Sequence, residues 1–313
     1  MRTAFVEEIT KLAKKDKNLW LLTGDLGFSV FDDFQKKFPA QYLNVGVAEQ
    51  NLISIAAGLA MSGKKVFVYS ISTFLTMRCL EQIRNDLCYQ NLPVYLIGGG
   101  SSFSYSTFGC THFPLEDFAL MRVLPNMSVV APGDPLEAKA LIRDIYKHSG
   151  PAYMRIAKKG EPVIHKSKDQ ISLGKATRIS SGNDVAVLVC GRQLPNALAA
   201  ADALKKQGIN CRVLSFHTIK PIDKIEVLKS ARETNAIVTV EEHFSTGGLN
   251  SVVAEILVNE RLSVPVVGVN INDEFPKGSG SQDYFLNKYG LTVSGISKAV
   301  VRALSYERNH KKI

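Results

Sequence analysis

The chain lacks any apolar run of the roughly 18 residues that a membrane-spanning helix needs. Met1 to Lys14 intersperses charges among its apolar positions, so no signal peptide is expected there and the protein is expected to be soluble, without a membrane partner. Cysteines number only five in 313 residues, and none of them forms a CxxC pair. A disulfide framework or a structural zinc site is therefore not expected, and a reducing cytoplasm is the expected compartment. A net charge of +9 is modest for this length. The lysines scatter or fall in short clusters near Lys11 to Lys17, Lys158 to Lys168 and the C-terminal tail, which reads as solvated surface rather than a nucleic-acid interface. Gly98-Gly99-Gly100 lacks the GxGxxG spacing of a dinucleotide fingerprint, and no GxxxxGK[ST] phosphate loop is present. Hydrolase nucleophile signatures and zinc motifs are absent as well.

What is present is an alternation of short apolar runs with helical periodicity. Strands are expected at Leu19 to Thr23, Val66 to Tyr69, Val94 to Ile97, Ser128 to Ala131 and Tyr153 to Ile156. Helices are expected at Arg2 to Lys14, Thr73 to Tyr89, Leu115 to Val123 and from Pro135 to Lys147, the last with Asp134 as N-cap and Pro135 in its first turn. Lys158 to Gly174 is charged, contains Pro162 and has no period, so it reads as a linker. A second unit follows, with strands at Val185 to Val189, Cys211 to Ser215, Ala236 to Val240 and Val264 to Val269. Its helices are expected at Pro195 to Gln207, Ile222 to Ala231 and Leu249 to Val258, with another after Ser294. This pattern predicts two consecutive three-layer α/β/α domains, residues 1–165 and 174–313, each built on a mainly parallel sheet.

The most informative stretch is Tyr42 to Ala60, YLNVGVAEQNLISIAAGLA. It reads as a short strand, a turn at Gly46 and a nearly apolar helix with one acid, Glu49, in its first turn. Such a carboxylate is either a cap or a buried acid able to protonate or polarise a bound heterocycle. The loops after the strands also hold Asp25, Ser29, Phe74, Glu116 and the segment Ser101 to His112. That segment is long, glycine-bounded and rich in hydroxyls and aromatics, which suits a binding loop. Read one at a time, Asp25 and Glu116 also serve as caps, Phe74 as core and His112 as a structural histidine.

Six segments in this order carry a resemblance: LTGDL at Leu22 to Leu26, NVGVAEQN at Asn44 to Asn51, FLTMRCLEQIR at Phe74 to Arg84, CTHFPLEDFALMRVL at Cys110 to Leu124, PNMSVVAPGDP at Pro125 to Pro135, and VEEHFSTGGL at Val240 to Leu249. Together they resemble the C-terminal half of the transketolase family of thiamine diphosphate enzymes, over nearly the whole chain. The resemblance implies a pyrimidine-binding domain followed by the family's C-terminal domain. It places Glu49 on the family's catalytic glutamate, whose carboxyl exchanges a proton with the pyrimidine ring nitrogen of thiamine diphosphate. It makes Phe74 the aromatic that packs on the pyrimidine and puts Asp25 and Leu26 beside the cofactor. His112 falls where the family's Thr-His pair faces the reacting carbonyl, Ser29 lies toward the distal end of a sugar phosphate, and Lys158 stands near a phosphate-binding arginine.

The departures from the pattern bear on substrate. Phe108-Gly109 stands where relatives have an acid-glycine pair, Phe113 where they have glutamine, and Gly99-Gly100 where a histidine often stands. A modified sugar, or one less phosphorylated than the usual pentose phosphates, is expected to suit this site. No GDG with a downstream asparagine, the family's diphosphate and metal motif, occurs in the chain, so no metal ligand is assigned to it. The resemblance thus implies one subunit of a split transketolase, active with an N-terminal-type partner that holds the diphosphate and Mg2+ or Ca2+. Two copies of each chain would form a heterotetramer, and contact with a second copy is expected to include the Ile53 to Leu59 helix. The expected reaction is transfer of a two-carbon ketol unit between sugars. The alternatives are a decarboxylating carboligase similar to the deoxyxylulose-phosphate synthases or oxo-acid dehydrogenase beta subunits, and a catalytically silent partner subunit.

Overall fold

The computed structural model describes residues 1–158, 160–166 and 170–310. Two sheets organise the chain. The first contains β1 (Leu19–Thr23), β2 (Tyr42–Asn44), β3 (Lys65–Ile71), β4 (Val94–Gly99), β5 (Ser128–Val130) and β6 (Ala152–Ile156). The second contains β7 (Thr177–Ser180), β8 (Val185–Val189), β9 (Cys211–Ser215), β11 (Ile237–Phe244) and β12 (Val266–Ile271), while β10 (Thr218–Lys220) crosses back to the first. The strand orders are β10-β5-β6-β4-β3-β1-β2 and β12-β11-β8-β9-β7. All pairings are parallel except those of β10 with β5 and of β7 with β9.

The parallel strands are apolar along their length because helices cover both faces of each sheet. β3, β4, β6 and β8 are buried at nearly every position. One apolar cluster runs from Leu52, Val68 and Leu96 through Phe118 and Met121 into Leu188, Phe216 and Leu249, so the two sheets share a core. The strand β10 adds to this junction. It pairs with β5 two residues after leaving β9's sheet, and Lys220 Nζ donates to the carbonyls of Arg122 and Leu124.

Several expectations shift in the structure. Asp134 does cap the helix Pro135–Lys147, its Oδ1 accepting from Glu137 N at 2.8 Å. The single helix expected over Thr73 to Tyr89 is instead broken into Ser72–Thr76, a turn through Met77 to Cys79, Leu80–Gln82 and a wide π-type turn over Ile83–Cys88. In the helix Glu49–Met61, Ile53, Ala56 and Ala57 serve the chain's own core, which leaves Ile55 and Leu59 half-buried and Met61 exposed. The charged stretch read as a linker carries no helix or strand among its described residues; Lys159 and residues 167–169 lie outside them.

Candidate active site

Every candidate residue of the first unit follows the C-terminal end of a parallel strand, the edge where α/β sheets present ligand groups. Glu49 follows β2, Phe74 follows β3, the Ser101 to His112 loop follows β4, Lys158 follows β6, and Asp25, Leu26 and Ser29 follow β1. Glu49 begins its helix but makes no cap bond with its side chain. The carboxylate is 1% exposed. Its Oε1 accepts from Ser70 Oγ at 3.3 Å and its Oε2 from Arg78 Nη1 at 2.7 Å. The reading of Glu49 as a cap therefore gives way to the reading as a buried acid.

A chain of ring contacts leads away from it. The Arg78 guanidinium lies over the Phe74 ring at 4.7 Å, and Phe74 meets His112 edge-on at 5.0 Å. His112 stacks on Phe108 at 5.0 Å and faces Tyr105 at 6.4 Å. Lys158 Nζ in turn lies 5.0 Å from the Tyr105 ring. Glu49, Phe74, His112 and Lys158 are thus brought into one wall. Burial lowers the pKa of His112, which favours the neutral imidazole, and its Nδ1 is 3.0 Å from Thr111 Oγ1. Beside Glu49, burial first and the carboxylate charge second push the Cys79 thiol up to about 12, so it is no nucleophile at neutral pH.

The loop that carries His112 is pinned from below. Phe103 is fully buried and stacks on Phe285 at 4.9 Å, while Phe113 meets Phe103 at 5.1 Å and Phe285 at 5.2 Å. Phe113 is therefore core, joining the loop to the helix Gln282–Lys288 of the second unit, whereas Phe108 is 65% exposed beside His112. The triple glycine that opens the loop has a packing cause: a Cβ on Gly98 would lie 2.6 Å from Ser72 Oγ and 2.7 Å from Tyr153 Oη. Gly100 adopts φ +97, which starts the turn.

Asp25 and Ser29 stand in a separate turn. Asp25, at φ 55, exchanges two hydrogen bonds with Asn44: its N donates to Asn44 Oδ1 at 2.9 Å, and its Oδ1 accepts from Asn44 Nδ2 at 3.0 Å. This pair fixes the Gly24 to Gly27 turn against β2, with Gly24 packed beside Ser70. Ser29 Oγ donates to the Phe28 carbonyl, and Ser29 lines a groove of about 590 Å³ with Arg2, Lys11, Lys14 and Lys37.

Sequence reasoning missed Arg78, Ser70, Tyr105 and Arg2. Arg78 stands four residues after Phe74, a spacing that puts side chains on one helical face and could have signalled the pair. Arg2 interacts with Tyr69 and Tyr105, two phenols whose pKa burial raises, and so brings a second cation toward Lys158.

A buried acid and a nearby aromatic ring, bridged by Arg78 at the strand ends of a parallel sheet, have the chemistry to hold a flat nitrogen heterocycle. Residues 1–161 match the model described as "Transketolase, pyrimidine binding domain", and residues 174–296 match "Transketolase, C-terminal domain". The chain belongs to the transketolase family. It is 36% identical over 302 residues to a subunit of the apulose-4-phosphate transketolase of Phocaeicola vulgatus, covering 96% of each chain. It is 37% identical over 304 residues to a subunit of the 6-deoxy-6-sulfo-D-fructose transketolase of Clostridium sp., covering 97% of this chain and 92% of that one. A solved structure described as "Split gene transketolase, inactive beta4 tetramer" superposes with a TM-score of 0.88 at 37% identity, covering 97% of both chains.

The family implies thiamine diphosphate, and the residues present fit its pyrimidine end: Glu49 would offer a carboxyl to a ring nitrogen and Phe74 an aromatic face, the two groups that Arg78 now touches. Among the described residues, no group of three or more His, Cys, Asp or Glu side chains is placed to hold a metal ion, and no helix is long and apolar enough to cross a membrane.

Proposed function

We propose that this chain is the C-terminal-type subunit of a split transketolase, with a pyrimidine-binding domain over residues 1–165 and a transketolase C-terminal domain over 174–313. With a separate chain that holds the diphosphate and a divalent metal, Mg2+ or Ca2+, it transfers a two-carbon ketol unit from a ketose to an aldose. The observation that carries this reading is Glu49, a fully enclosed carboxylate that closes no helix and instead directs Oε2 to the Arg78 guanidinium lying over the Phe74 ring. A silent partner subunit has no chemical need for such an acid.

When bound, thiamine diphosphate supplies the carbon nucleophile and electron sink that breaking and making the carbon–carbon bond require. The residues of this chain do the rest on their side of the site. Glu49 holds and returns a proton at the pyrimidine ring nitrogen, and Phe74 fixes the ring plane. The turn at Asp25 and Leu26, tied to Asn44, borders the cofactor. His112, neutral and seated among Phe74, Phe108 and Tyr105, hydrogen-bonds the reacting oxygen as charge develops there.

Ser29, Lys158 and Arg2 face the far end of the sugar, where two cations favour an anionic substituent. Both relatives are named for sugars with such a group, a phosphate or a sulfonate. The assembly holds two copies of each chain, and the cytoplasm suits the five free thiols.

The test is to combine the chain with a partner that carries the GDG and Asn motif, then supply thiamine diphosphate, Mg2+ and a ketose–aldose pair. Exchange of the two-carbon unit supports the reading. Release of carbon dioxide from pyruvate without ketol transfer would replace it with the decarboxylating alternative.

A further inference from the structure

Arg78 lies on the two groups that the proposed function assigns to the pyrimidine, the Glu49 carboxyl and the Phe74 ring face. Its guanidinium is flat, presents N–H donors along an edge and stacks on aromatic faces. It places one N–H 2.7 Å from Glu49 Oε2 and its carbon 4.7 Å from the centre of the Phe74 ring. These are the carboxyl oxygen and the stacking surface that the proposed function assigns to the aminopyrimidine. We propose that Arg78 is a placeholder for the pyrimidine: it occupies the ring's two contacts and must swing out for the ring to seat.

The local structure suits a side chain that moves. Glu49 is fixed, enclosed on its helix and bonded to Ser70, while Arg78 is 47% exposed. Arg78 sits in the turn that interrupts the helix expected over Thr73 to Tyr89, between the short helices Ser72–Thr76 and Leu80–Gln82. Its hold on Glu49 is through Nη1 alone and not the two-pronged fork a guanidinium can make. A single charge-assisted bond on a half-exposed residue is strong enough to order the carboxylate and weak enough to yield to a ligand.

The placeholder also has a chemical consequence. A guanidinium keeps its proton at every ordinary pH, so while Arg78 is seated, Glu49 Oε2 has no partner with which to exchange one. Seating the ring exchanges a partner that cannot pass a proton for one that can. The cation then moves to solvent, to which Arg78 is already half-exposed, and the ring nitrogen replaces it as the partner of Glu49, so the buried carboxyl is not left unpaired. Arg78 is in these terms a positioning residue, acting on Glu49 rather than on the reacting atoms.

This inference rests on the pyrimidine-site reading, and the test separates the two. The isolated chain is titrated with 4-amino-2-methylpyrimidine and followed by ligand-detected NMR, for wild type, Arg78→Met, Arg78→Lys and Glu49→Gln. Arg78→Met is expected to bind the fragment about tenfold more tightly than wild type. Arg78→Lys, which keeps the charge but loses the flat stacking group, should fall between them, and Glu49→Gln should lose binding. A gain in affinity is a result that an arginine with a purely structural role cannot give. Affinity unchanged or lowered in both Arg78 variants, with binding still lost in Glu49→Gln, overturns the placeholder and leaves the pyrimidine site standing. Equal binding by all four proteins, or binding by none, overturns both. If Arg78→Met melts well below wild type, Arg78→Lys alone decides, and affinity no higher than wild type then counts against the proposal.

Discussion

Arg155 and Asp117 form a buried ion pair at 2.9 Å inside the first unit, at its junction with the second. The same guanidinium donates to the carbonyls of Pro114 and of Glu242, the latter on β11 of the second sheet. Tyr153 Oη donates to the other carboxylate oxygen of Asp117 at 2.6 Å. The two charges are thus paired and further hydrogen-bonded, which is the condition under which a buried pair holds its place.

Removing one partner should therefore be costly. Asp117→Ala strands the Arg155 cation in the core and is expected to lower the unfolding free energy by about 3–5 kcal/mol. Asp117→Asn keeps an acceptor and should cost less. Urea unfolding followed by far-ultraviolet circular dichroism and Trp20 fluorescence checks this, and a midpoint equal to wild type in Asp117→Ala would contradict the assignment.

Glu49→Gln preserves shape and loses the exchangeable proton. Turnover of the complete enzyme should fall by roughly 10²–10⁴-fold, the range of general acid–base catalysis, with the secondary structure seen by circular dichroism unchanged. Unaltered turnover would remove Glu49 from the chemistry.

The strand and helix alternation was legible wherever an element had enough residues to show a period or a run. Leu19 to Thr23, Val185 to Val189 and Cys211 to Ser215 occur at the bounds expected of them. β10 was not legible, because three residues, Thr218–Lys220, carry no pattern and pair only where β5 leaves an edge open. β7 is a half-exposed edge strand whose polar residues mimic a loop. Glu49 stood out as a lone acid heading an apolar helix, and Lys158 and His112 stood out by resemblance. Arg78 did not, although its place four residues after Phe74 could have signalled the pair. Arg155 could have been noticed: a charge inside the otherwise apolar run Ala152–Ile156 needs a buried partner.

Acid should loosen the junction of the two units in two stages. His217 is buried on the strand side with Nε2 4.0 Å from Glu137 Oε1 and Nδ1 2.8 Å from Thr218 Oγ1. Burial lowers its pKa, and the neighbouring His165 adds to this, against the opposing pull of Glu137, the Lys175 backbone and Asp144. The unfolded chain then binds a proton near pH 6.5, about the ordinary value for histidine, that the folded chain refuses until lower pH. Stability from this group is complete above about 6.5 and declines as pH falls below it. For Asp134, burial raises the pKa, but hydrogen bonds from His165 and from the N–H groups of Glu137, His165 and Ile164 outweigh it and hold it at about 2. Its contribution is present above about 3.9, the unfolded value, and is lost as pH falls through about 2. Thermal midpoints should fall first below about pH 6.5 and again below about pH 4. His217→Asn should flatten the first step, and a wild-type profile level down to about pH 5 would refute the histidine stage.

Lys158 offers a test of substrate class that leaves the cofactor side untouched. The residue is exposed, with Nζ near the Tyr105 ring, and Tyr105 also feels Arg2. An ammonium placed there attracts an anionic tail as a point charge and sets no bond directions, so its effect should be on binding rather than on the chemical step. Lys158→Met is expected to raise KM for a phosphorylated or sulfonated sugar roughly tenfold with kcat little changed, the pattern for lost uniform binding. The same variant should leave KM for an uncharged sugar alone, and the wild-type advantage for the anion should shrink as salt screens it. Lys158→Arg, with its fork, should hold the anion at least as well as lysine. Equal losses on charged and uncharged sugars would mean that Lys158 supports the loop carrying Tyr105 and His112 and does not read the substrate's charge.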